Sequence, residues 1–396
     1  MQADHAPADF PICVDGRMLA KQATGVASYA RTMLASLQSA GAEIGILGDR
    51  GEAFNRTPAG KLLAAMRPGP RRLARAADGY HARDIFREAH VHFGLYRRLT
   101  VLRAPGPPGV MHWTYPVPLW IEGWRNVYTV HDVIPLDVSL ASPVNPDRLM
   151  SVLTQITASA DRLVAVSDAA RADIVTRLGC DPSFVTNCSQ AVDVTMVGAP
   201  GMLPAPLIKG HFYLYAGAFE AHKNLERLIE AHRSSGVSHP LVLVGPDGPG
   251  PAYLAGQVDG ATPLLIRLPY QDRPTLLRMI ADARALLFPS LAEGFGLPVV
   301  EAMALGTPVV TSRGGALEEV AGSAALLVDA RDVGSIARAI ACLDAQDALR
   351  DRLARDGRAR ALAFGRPAYA ARLMRLYQDV WTNGVGRAAQ DRHRWL

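Results

Sequence analysis

Two acidic side chains, Glu293 and Glu301, flank a glycine-rich turn that leads from an apolar strand into a helix. The segment between them begins Gly294-Phe295-Gly296-Leu297-Pro298. Glycine lets the backbone approach a ligand closely, and proline suits the first turn of a helix. The first amide groups of a helix lack intrahelical partners and carry a partial positive charge, so they can bind a phosphate or sugar oxygen. Each carboxylate could accept hydrogen bonds from neighbouring sugar hydroxyls. The alternative is an ordinary helix start with two acids near its dipole.

Three further residues have types and positions suited to a site. Lys223 follows a predicted strand over residues 212–216 and is a point charge suited to an oxygen of a diphosphate. His131 begins a His-Asp pair at the carboxyl end of a predicted strand over residues 126–130, where ligands bind in open α/β sheets. Gly25 lies in a turn between the first strand and the first helix. The alternatives are a His-Asp pair that only closes a turn and a glycine that serves a structural turn.

The elements that must position these residues are repeated strand-helix units. Apolar runs of strand length alternate with segments of helical period, which predicts parallel, doubly wound sheets. A chain of 396 residues is too long for one typical core, so two domains are expected. The proline- and glycine-rich stretch 197–210 is the predicted linker between them. Residues 51–108 follow no clear pattern, and little is predicted there.

The two glutamates with seven residues between them, beginning Gly-Phe-Gly-Leu-Pro, resemble the signature of the retaining nucleotide-sugar glycosyltransferases of family 4. The likeness covers most of residues 10–379, is densest over 213–329, and is greatest to bacterial mannosyl- and rhamnosyltransferases of polysaccharide assembly. It implies the α/β fold called GT-B, in which two doubly wound Rossmann-like domains face each other across a cleft. The implied domains are an N-terminal acceptor-side domain, a nucleotide-sugar donor domain and a C-terminal helix that crosses back to the first domain, over residues 1–200, 211–366 and 367–396.

The resemblance also implies a role for each candidate residue. The expected catalytic residues are His131 beside the transferred sugar, Glu293 on its hydroxyls and Lys223 on the leaving diphosphate. The expected donor-binding residues are Gly25, His222, Gly294, Phe295, Gly296, Leu297 and Glu301. Within this set Glu301 would hold the ribose hydroxyls of the nucleotide. His222 stands just before the lysine, where a neutral imidazole would neutralise the leaving group less well than the arginine that the family uses.

The same resemblance implies the type of reaction. The anomeric configuration is retained and the leaving-group site needs no metal, so no cofactor is expected and the nucleotide sugar is a substrate. The sequence has no Asp-x-Asp pair, which agrees with a metal-free site. No residue stands out as a covalent nucleophile, so the donor's phosphate oxygen is expected to take the acceptor proton. The expected donor is GDP-mannose, with dTDP-rhamnose and UDP-hexoses as alternatives, and the expected acceptor is a saccharide, linked to a polyprenyl diphosphate.

Positive charge is concentrated in one part of the chain. The net charge is +5, and residues 61–103 contain ten Lys or Arg against three acids. The functional interpretation is peripheral membrane contact through anionic lipid head groups, and the alternative is a solvated face. Nucleic acid is not an expected partner, because no recognised binding module surrounds this segment.

Composition also bears on location. No apolar run approaches the roughly 18 residues of a membrane span, and the N-terminus is unlike a signal peptide. We therefore expect a cytoplasmic protein, peripheral at the inner face of the cell membrane. The cysteines have neither zinc-site nor redox spacing and are expected to be reduced thiols: Cys13, Cys180, Cys188 and Cys342.

Two functions of other classes compete with the transferase. An NAD-dependent oxidoreductase could also have paired doubly wound domains, but the Gly-x-Gly-x-x-Gly fingerprint is missing after the first strand. A non-catalytic glycan- or lipid-binding module is suggested by Ala27 and Ser28, which stand where the family has Gly and Arg, and by Ala218 in the diphosphate loop.

Overall fold

The computed structural model describes residues 9–19, 25–49, 58–67, 69–137, 139–140, 142–194, 202–245 and 265–383. The chain divides into two compact units, and each contains its own parallel sheet. The first unit comprises Met1–Leu136, Val144–Ala191 and Arg366–Leu396, and the second comprises Asp137–Pro143 and Val192–Gly365. Part of the predicted linker, residues 197–201, lies outside the described residues.

The first unit is an α/β domain around an eight-stranded sheet. Its strands, with three short ones that form a second sheet, are β1 (Ile12–Asp15), β2 (Ile44–Asp49), β3 (Arg71–Arg72), β4 (Ala74–Ala76), β5 (Gly79–Ala82), β6 (Thr100–Arg103), β7 (Val110–Trp113), β8 (Leu119–Ile121), β9 (Arg125–Thr129), β10 (Arg162–Ala165) and β11 (Val185–Asn187). Its first five helices are α1 (Gly25–Ser39), α2 (Pro58–Met66), α3 (Ile85–Tyr96), α4 (Pro146–Ser159) and α5 (Asp168–Leu178).

The large sheet has the strand order β11-β10-β9-β7-β1-β2-β5-β4, and β3, β6 and β8 form the small one. All pairings in the large sheet are parallel except that of β4 with β5. The central strands β1 and β7 are buried along their whole length, as expected for a parallel sheet covered on both faces. Asp15, the last residue of β1, and His112, the third residue of β7, are therefore deeply buried polar residues.

The last helix that the structure describes also belongs to the first unit. It spans Arg366–Asn383 and packs against α1. Trp381 stacks on Phe10 with ring centroids 4.7 Å apart, and Tyr377 is fully buried against His112. These aromatic contacts fix the helix on the first domain.

The second unit has a six-stranded, fully parallel sheet in the order β14-β13-β12-β15-β16-β17. Its strands are β12 (Tyr213–Ala216), β13 (Leu241–Val244), β14 (Leu265–Leu268), β15 (Ala285–Phe288), β16 (Val309–Ser312) and β17 (Leu326–Val328). Its helices are α6 (Leu225–Ser234), α7 (Arg273–Asp282), α8 (Leu297–Leu305), α9 (Gly315–Ala321), α10 (Val333–Ala345) and α11 (Asp347–Ala361), and the helix of the first unit just described is α12.

The prediction of two doubly wound, parallel α/β domains is confirmed. The segment 58–103, for which little was predicted, contains two helices and four short strands. None of the helices in the described ranges combines the length and the apolar character that crossing a membrane requires.

Candidate active site

The turn between β15 and α8 requires glycine at one position. Gly296 has φ +100°, a backbone conformation that residues with a Cβ rarely adopt. A Cβ at this position would lie 2.5 Å from Leu317 Cδ2. The helix then begins at Leu297, with Pro298 in its first turn. Phe295 is buried and packs edge-on against Phe364, so only its backbone can serve a ligand.

Lys223 and Glu293 meet in an ion pair at the carboxyl edge of the second sheet. Lys223 Nζ lies 2.7 Å from Glu293 Oε1, and the side chains are 15% and 10% exposed. The ammonium also lies 5.7 Å from the centre of the Phe288 ring, at the end of β15. Two of the predicted catalytic residues, 70 positions apart in the sequence, are thus in direct contact.

Asn224 holds the two segments that carry this ion pair. Its φ is +63°, and its Nδ2 donates to the carbonyls of Pro289, at 3.0 Å, and Ala330, at 2.6 Å. The Leu291 amide donates to the His222 carbonyl at 2.7 Å, so the loops after β12 and β15 are joined twice. Sequence reasoning gave Asn224 no site role; the signal was an asparagine just before a helix, since Asn tolerates the left-handed conformation.

His222 is buried beside the lysine and does not add a second positive charge at neutral pH. Burial is the largest cause that lowers its pKa, and the charge of Lys223 lowers it further. Its Nδ1 lies 3.5 Å from Glu220 Oε2, too far for a good hydrogen bond. The positive charge at this point of the sheet edge therefore comes from Lys223.

Glu301, on the first turns of α8, is buried and is paired with an arginine that sequence reasoning missed. Arg273 Nη2, from α7, lies 2.7 Å from Glu301 Oε1, and it also donates to the Asp193 carbonyl at 3.1 Å. The arginine therefore fixes one carboxylate oxygen of Glu301 in place. No feature of the sequence links α7 to α8, because the pairing depends on the tertiary packing of two helices.

In the first unit His131 is held as a neutral imidazole of known tautomer. Its Nε2 donates to the Thr114 carbonyl at 2.9 Å, which leaves Nδ1 as the acceptor nitrogen. Burial lowers the pKa of His131 to about 4. The Tyr29 ring meets the imidazole edge-on, with centroids 4.6 Å apart, so the ring plane is also fixed.

A buried chain of hydrogen bonds runs behind His131. Tyr29 Oη lies 2.8 Å from Thr129 Oγ1, which lies 2.7 Å from His112 Nε2, and His112 Nδ1 lies 2.7 Å from Tyr377 Oη. Burial, with a smaller contribution from His131, lowers the pKa of His112 to about 3, so this chain is uncharged at neutral pH. Tyr29 therefore connects the last helix to the edge of His131.

Gly25 is the first residue of α1, one turn before Tyr29. Among the described residues no atom would lie within 4 Å of a Cβ at this position, so crowding by them does not require glycine here. The neighbouring Thr24 lies outside the described residues.

The part of the chain that the structure describes contains no group of three or more His, Cys, Asp or Glu side chains arranged to hold a metal ion. The cysteines Cys13, Cys180, Cys188 and Cys342 are all free thiols.

Two family models cover most of the chain. The model described as "Glycosyltransferase Family 4" matches residues 23–195, and the model described as "Glycosyl transferases group 1" matches residues 207–360. The second match contains Lys223, Glu293 and Glu301. These matches favour the transferase over the NAD-dependent oxidoreductase.

Comparison with individual proteins also finds similarity to glycosyltransferases. The chain is 30% identical to the O-antigen chain mannosyltransferase B of Escherichia coli over 54% of its own length and 59% of that protein. It is 28% identical to the D-inositol 3-phosphate glycosyltransferase of Streptosporangium roseum over 72% of its own length and 73% of that protein. The alignment with the mannosyltransferase thus spans less than two thirds of that relative.

Among solved structures, sucrose-phosphate synthase from Thermosynechococcus elongatus matches with a TM-score of 0.68 over 94% of this chain and 100% of that chain, at 20% identity. That match concerns the fold, which is GT-B. Both the fold and the family predicted from the glutamate signature are confirmed, and the chain belongs to the glycosyltransferases of family 4, with a glycosyltransferase group 1 domain in its second half.

Proposed function

We propose that this protein moves a hexose from a nucleotide-diphosphate sugar to a saccharide acceptor, with retention of the anomeric configuration. The observation that carries the proposal is the contact between Lys223 and Glu293 beside the glycine turn that opens α8. A transferase of this kind needs a cation for the departing diphosphate and an acceptor for the sugar hydroxyls. Lys223 provides the cation and Glu293 the acceptor, side by side at the carboxyl edge of the second sheet.

The ion pair would change partners when the donor binds. Lys223 would turn to the diphosphate, and Glu293 would accept hydrogen bonds from hydroxyls of the transferred sugar. The amides of residues 294–297 would share the negative charge that develops on the leaving group. Preorganised charges of this kind are worth most where water is excluded, and both side chains are largely buried.

Glu301 and Arg273 would form the nucleotide end of the donor site. Arg273 holds one carboxylate oxygen of Glu301, so the carboxylate is fixed before the ligand arrives. A fixed carboxylate is suited to the paired hydroxyls of a ribose, because two hydroxyl donors can bind one carboxyl group.

His131 would position the transferred sugar as a hydrogen-bond acceptor through Nδ1. This role agrees with its neutral state and with the Nε2 bond to Thr114. The acceptor hydroxyl would attack from the face of the leaving group and pass its proton to the donor's phosphate oxygen. The proposed reaction uses no covalent nucleophile on the protein and no metal, so turnover should persist in EDTA.

Gly25, which lies in the first unit as His131 does, is suited to contact the donor. None of the residues that the structure describes would crowd a side chain at the start of α1. A ligand that passes close to the backbone would give a reason for glycine there.

The donor we favour is GDP-mannose, with dTDP-rhamnose and UDP-hexoses as the competing donors. Support comes from the relative that is named a mannosyltransferase of the O-antigen chain. That name also supports an acceptor in polysaccharide assembly, such as a saccharide on a polyprenyl diphosphate.

A lipid-linked acceptor would bring the protein to a membrane, and the α2–α3 surface is suited to that contact. This surface comprises exposed apolar residues on α2 and at the end of α3, together with exposed arginines that follow the two helices: Leu62, Leu63, Met66, Leu95, Tyr96, Arg67, Arg97 and Arg98. His92 joins the two helices, since its Nδ1 donates to the Ala65 carbonyl at 2.8 Å and its ring contacts Tyr96. Apolar side chains rimmed by cations favour an anionic bilayer surface. The side chain of Lys61 lies outside the described residues.

The membrane proposal is tested by sedimentation with vesicles of phosphatidylcholine, with and without phosphatidylglycerol. The wild type should sediment with the anionic vesicles, and Leu63→Asp should reduce this binding. Ile208→Asp, at a comparably exposed site in the second unit, is the control. Equal sedimentation of both variants would refute the α2–α3 surface.

The function itself is tested by thermal unfolding with GDP, UDP, dTDP, ADP and NAD in parallel. A ligand at 100 times its Kd adds about 2.7 kcal/mol of stability. Stabilisation by one nucleoside diphosphate would identify the donor, whose sugar conjugates are then assayed for transfer. The anomeric configuration of the product, read by NMR, tests retention. Stabilisation by NAD alone would overturn the transferase, and no response would favour the non-catalytic module.

A further inference from the structure

The first unit contains a second basic site, separate from the residues assigned to the donor. It is an open cavity of about 600 Å³, and the residues that line it are Arg17, Arg87, His90, Val91, Gly94 and Arg148. All of them belong to the first unit. Three are arginines and none is acidic.

One face of α3 forms the floor of this cavity. Arg87, His90, Val91 and Gly94 follow the spacing i, i+3, i+4 and i+7, so they lie in one row along the helix. Arg87 is exposed. At Gly94 even a Cβ would lie 3.6 Å from Arg148 Nη1, so the absence of a side chain leaves room beside that guanidinium.

The other two arginines come from separate elements and are held in place. Arg148, in the first turn of α4, donates from Nη2 to the His90 carbonyl at 2.8 Å. Arg17, which follows β1, has its guanidinium 5.8 Å from the ring centres of both Phe86 and Tyr115. Stacked and tethered guanidinium groups lose little entropy when they bind an anion.

Two acids near Arg17 each accept a hydrogen bond from a backbone amide through one oxygen, and Asp15 Oδ1 has no partner among the described residues. Asp15 Oδ2 accepts from the Thr114 amide, and Asp49 Oδ1 accepts from the Ile85 amide at 3.2 Å. Arg17 Nη1 is buried and makes no hydrogen bond to any residue that the structure describes. A buried cationic donor of this kind is stabilised when an anion supplies the missing acceptor.

We propose that this cavity binds the phosphoryl group of a phosphorylated sugar. Guanidinium groups match phosphate oxygens in pairs, and three converge here. The volume falls within the roughly 300–1,000 Å³ of small-molecule sites and exceeds what a lone phosphate needs, so the ligand carries a sugar as well. The proposed function enters this inference at one point: it identifies the phosphorylated sugar as the acceptor of the reaction. The acceptor is then either a soluble sugar phosphate or a saccharide on a lipid phosphate.

The test measures thermal unfolding of the full chain with glucose 6-phosphate and with inorganic phosphate, and flotation with phosphatidylcholine vesicles with or without a polyprenyl-phosphate-linked sugar. The wild type should respond to the sugar phosphate or to the sugar-lipid vesicles. Arg87→Gln, Arg17→Gln and Arg148→Gln should each weaken that binding at least ten-fold. Arg72→Gln is the control, because it removes the same charge from an exposed position outside the cavity.

The outcomes distinguish a soluble ligand from a lipid-linked one, and they distinguish failure of this cavity from failure of the proposed function. Binding of glucose 6-phosphate assigns a soluble acceptor, and binding of the sugar-lipid vesicles alone assigns a lipid-linked one. Lys223→Met should lose its response to nucleotides and keep its response to the phosphorylated sugar, whereas Arg87→Gln should do the reverse. The site is overturned if neither probe binds the wild type, or if Arg87→Gln, at an exposed position where folding is not at stake, binds as tightly as Arg72→Gln.

Discussion

Lys223 Nζ and Glu293 Oε1 lie 2.7 Å apart, on loops that follow different strands of the second sheet. The proposed reaction uses both the positive charge of Lys223 and the negative charge of Glu293, and the ion pair brings the two into direct contact. Each charge compensates the other in a largely buried place, where either charge alone would be costly.

Glu293→Gln keeps the shape of the side chain and removes its charge. We expect kcat/KM to fall about 10- to 150-fold, because one charged hydrogen bond to the transferred sugar contributes about 1.5–3 kcal/mol. Steady-state kinetics with the donor that thermal unfolding identifies measure this loss. Glu230→Gln, at an exposed position on α6, should keep wild-type kinetics. Full turnover by Glu293→Gln would remove Glu293 from the proposed mechanism.

The same pair should show coupled stability. Lys223→Met leaves Glu293 without its cation, and we expect the free energy of unfolding to fall by about 1–3 kcal/mol. The double variant Lys223→Met/Glu293→Gln should lose less than the sum of the two single losses, with a coupling energy of about 0.5–3 kcal/mol. Urea unfolding of the four proteins measures the cycle. Additive losses would mean that the contact contributes nothing to folding.

Asn224 should be sensitive to the kind of substitution. Asn224→Gly keeps the φ of +63° accessible and loses the three side-chain hydrogen bonds, two from Nδ2 and one that Oδ1 accepts from Arg227 Nη1, for an expected destabilisation of about 1–3 kcal/mol. Asn224→Ala loses the same bonds and adds about 1–2 kcal/mol of backbone strain. Urea unfolding separates the two contributions. If alanine and glycine destabilise equally, the left-handed conformation at this position carries no cost.

The sequence predicted the elements of the second unit well because each strand is a short apolar run bounded by glycine, proline or charge. The glycine turn before α8 was predictable for the same local reason. The segment 58–103 was not, because β3 and β4 are only two and three residues long and are arginine-rich. Their pairing depends on neighbouring strands and not on a periodic pattern of their own.

The candidate site was predictable only where a motif carried it. Glu293 and Lys223 could be named from the sequence, but their contact could not, since it joins residues 70 positions apart. The bond between His112 and Tyr377 joins residues 265 positions apart. Arg273 likewise acquires its role only when α7 packs beside α8.

Arg273→Gln tests the partner that sequence reasoning missed. Without the guanidinium Glu301 loses the group that fixes its carboxylate, so we expect about ten-fold weaker binding of the nucleoside diphosphate that stabilises the wild type. Isothermal titration measures the affinity. Arg278→Gln is the control on the same helix: it removes the ion pair of Arg278 with Asp282, in which the arginine is more exposed than Arg273 is. This variant should bind the nucleotide normally. Equal weakening by both variants would point to a general effect of charge on α7.

His112 and His131 of the first unit should make stability depend on pH. Folded His131 has a pKa of about 4 and folded His112 of about 3, whereas an unfolded histidine titrates near 6.5. As the pH falls below that value the unfolded chain takes up protons that the folded chain does not, so stability present above about pH 6.5 is lost towards pH 4. Burial raises the pKa of Asp15 to about 6, which acts in the opposite direction, because the folded state then binds a proton that the unfolded state lacks.

The destabilisation from the two histidines is larger than the stabilisation from the one aspartate, so the free energy of unfolding should fall between pH 7 and pH 5. His131→Asn removes one histidine, and urea unfolding across this range should show a slope smaller by up to about 1.4 kcal/mol per pH unit. An unchanged slope would mean that His131 titrates alike in the folded and unfolded chains.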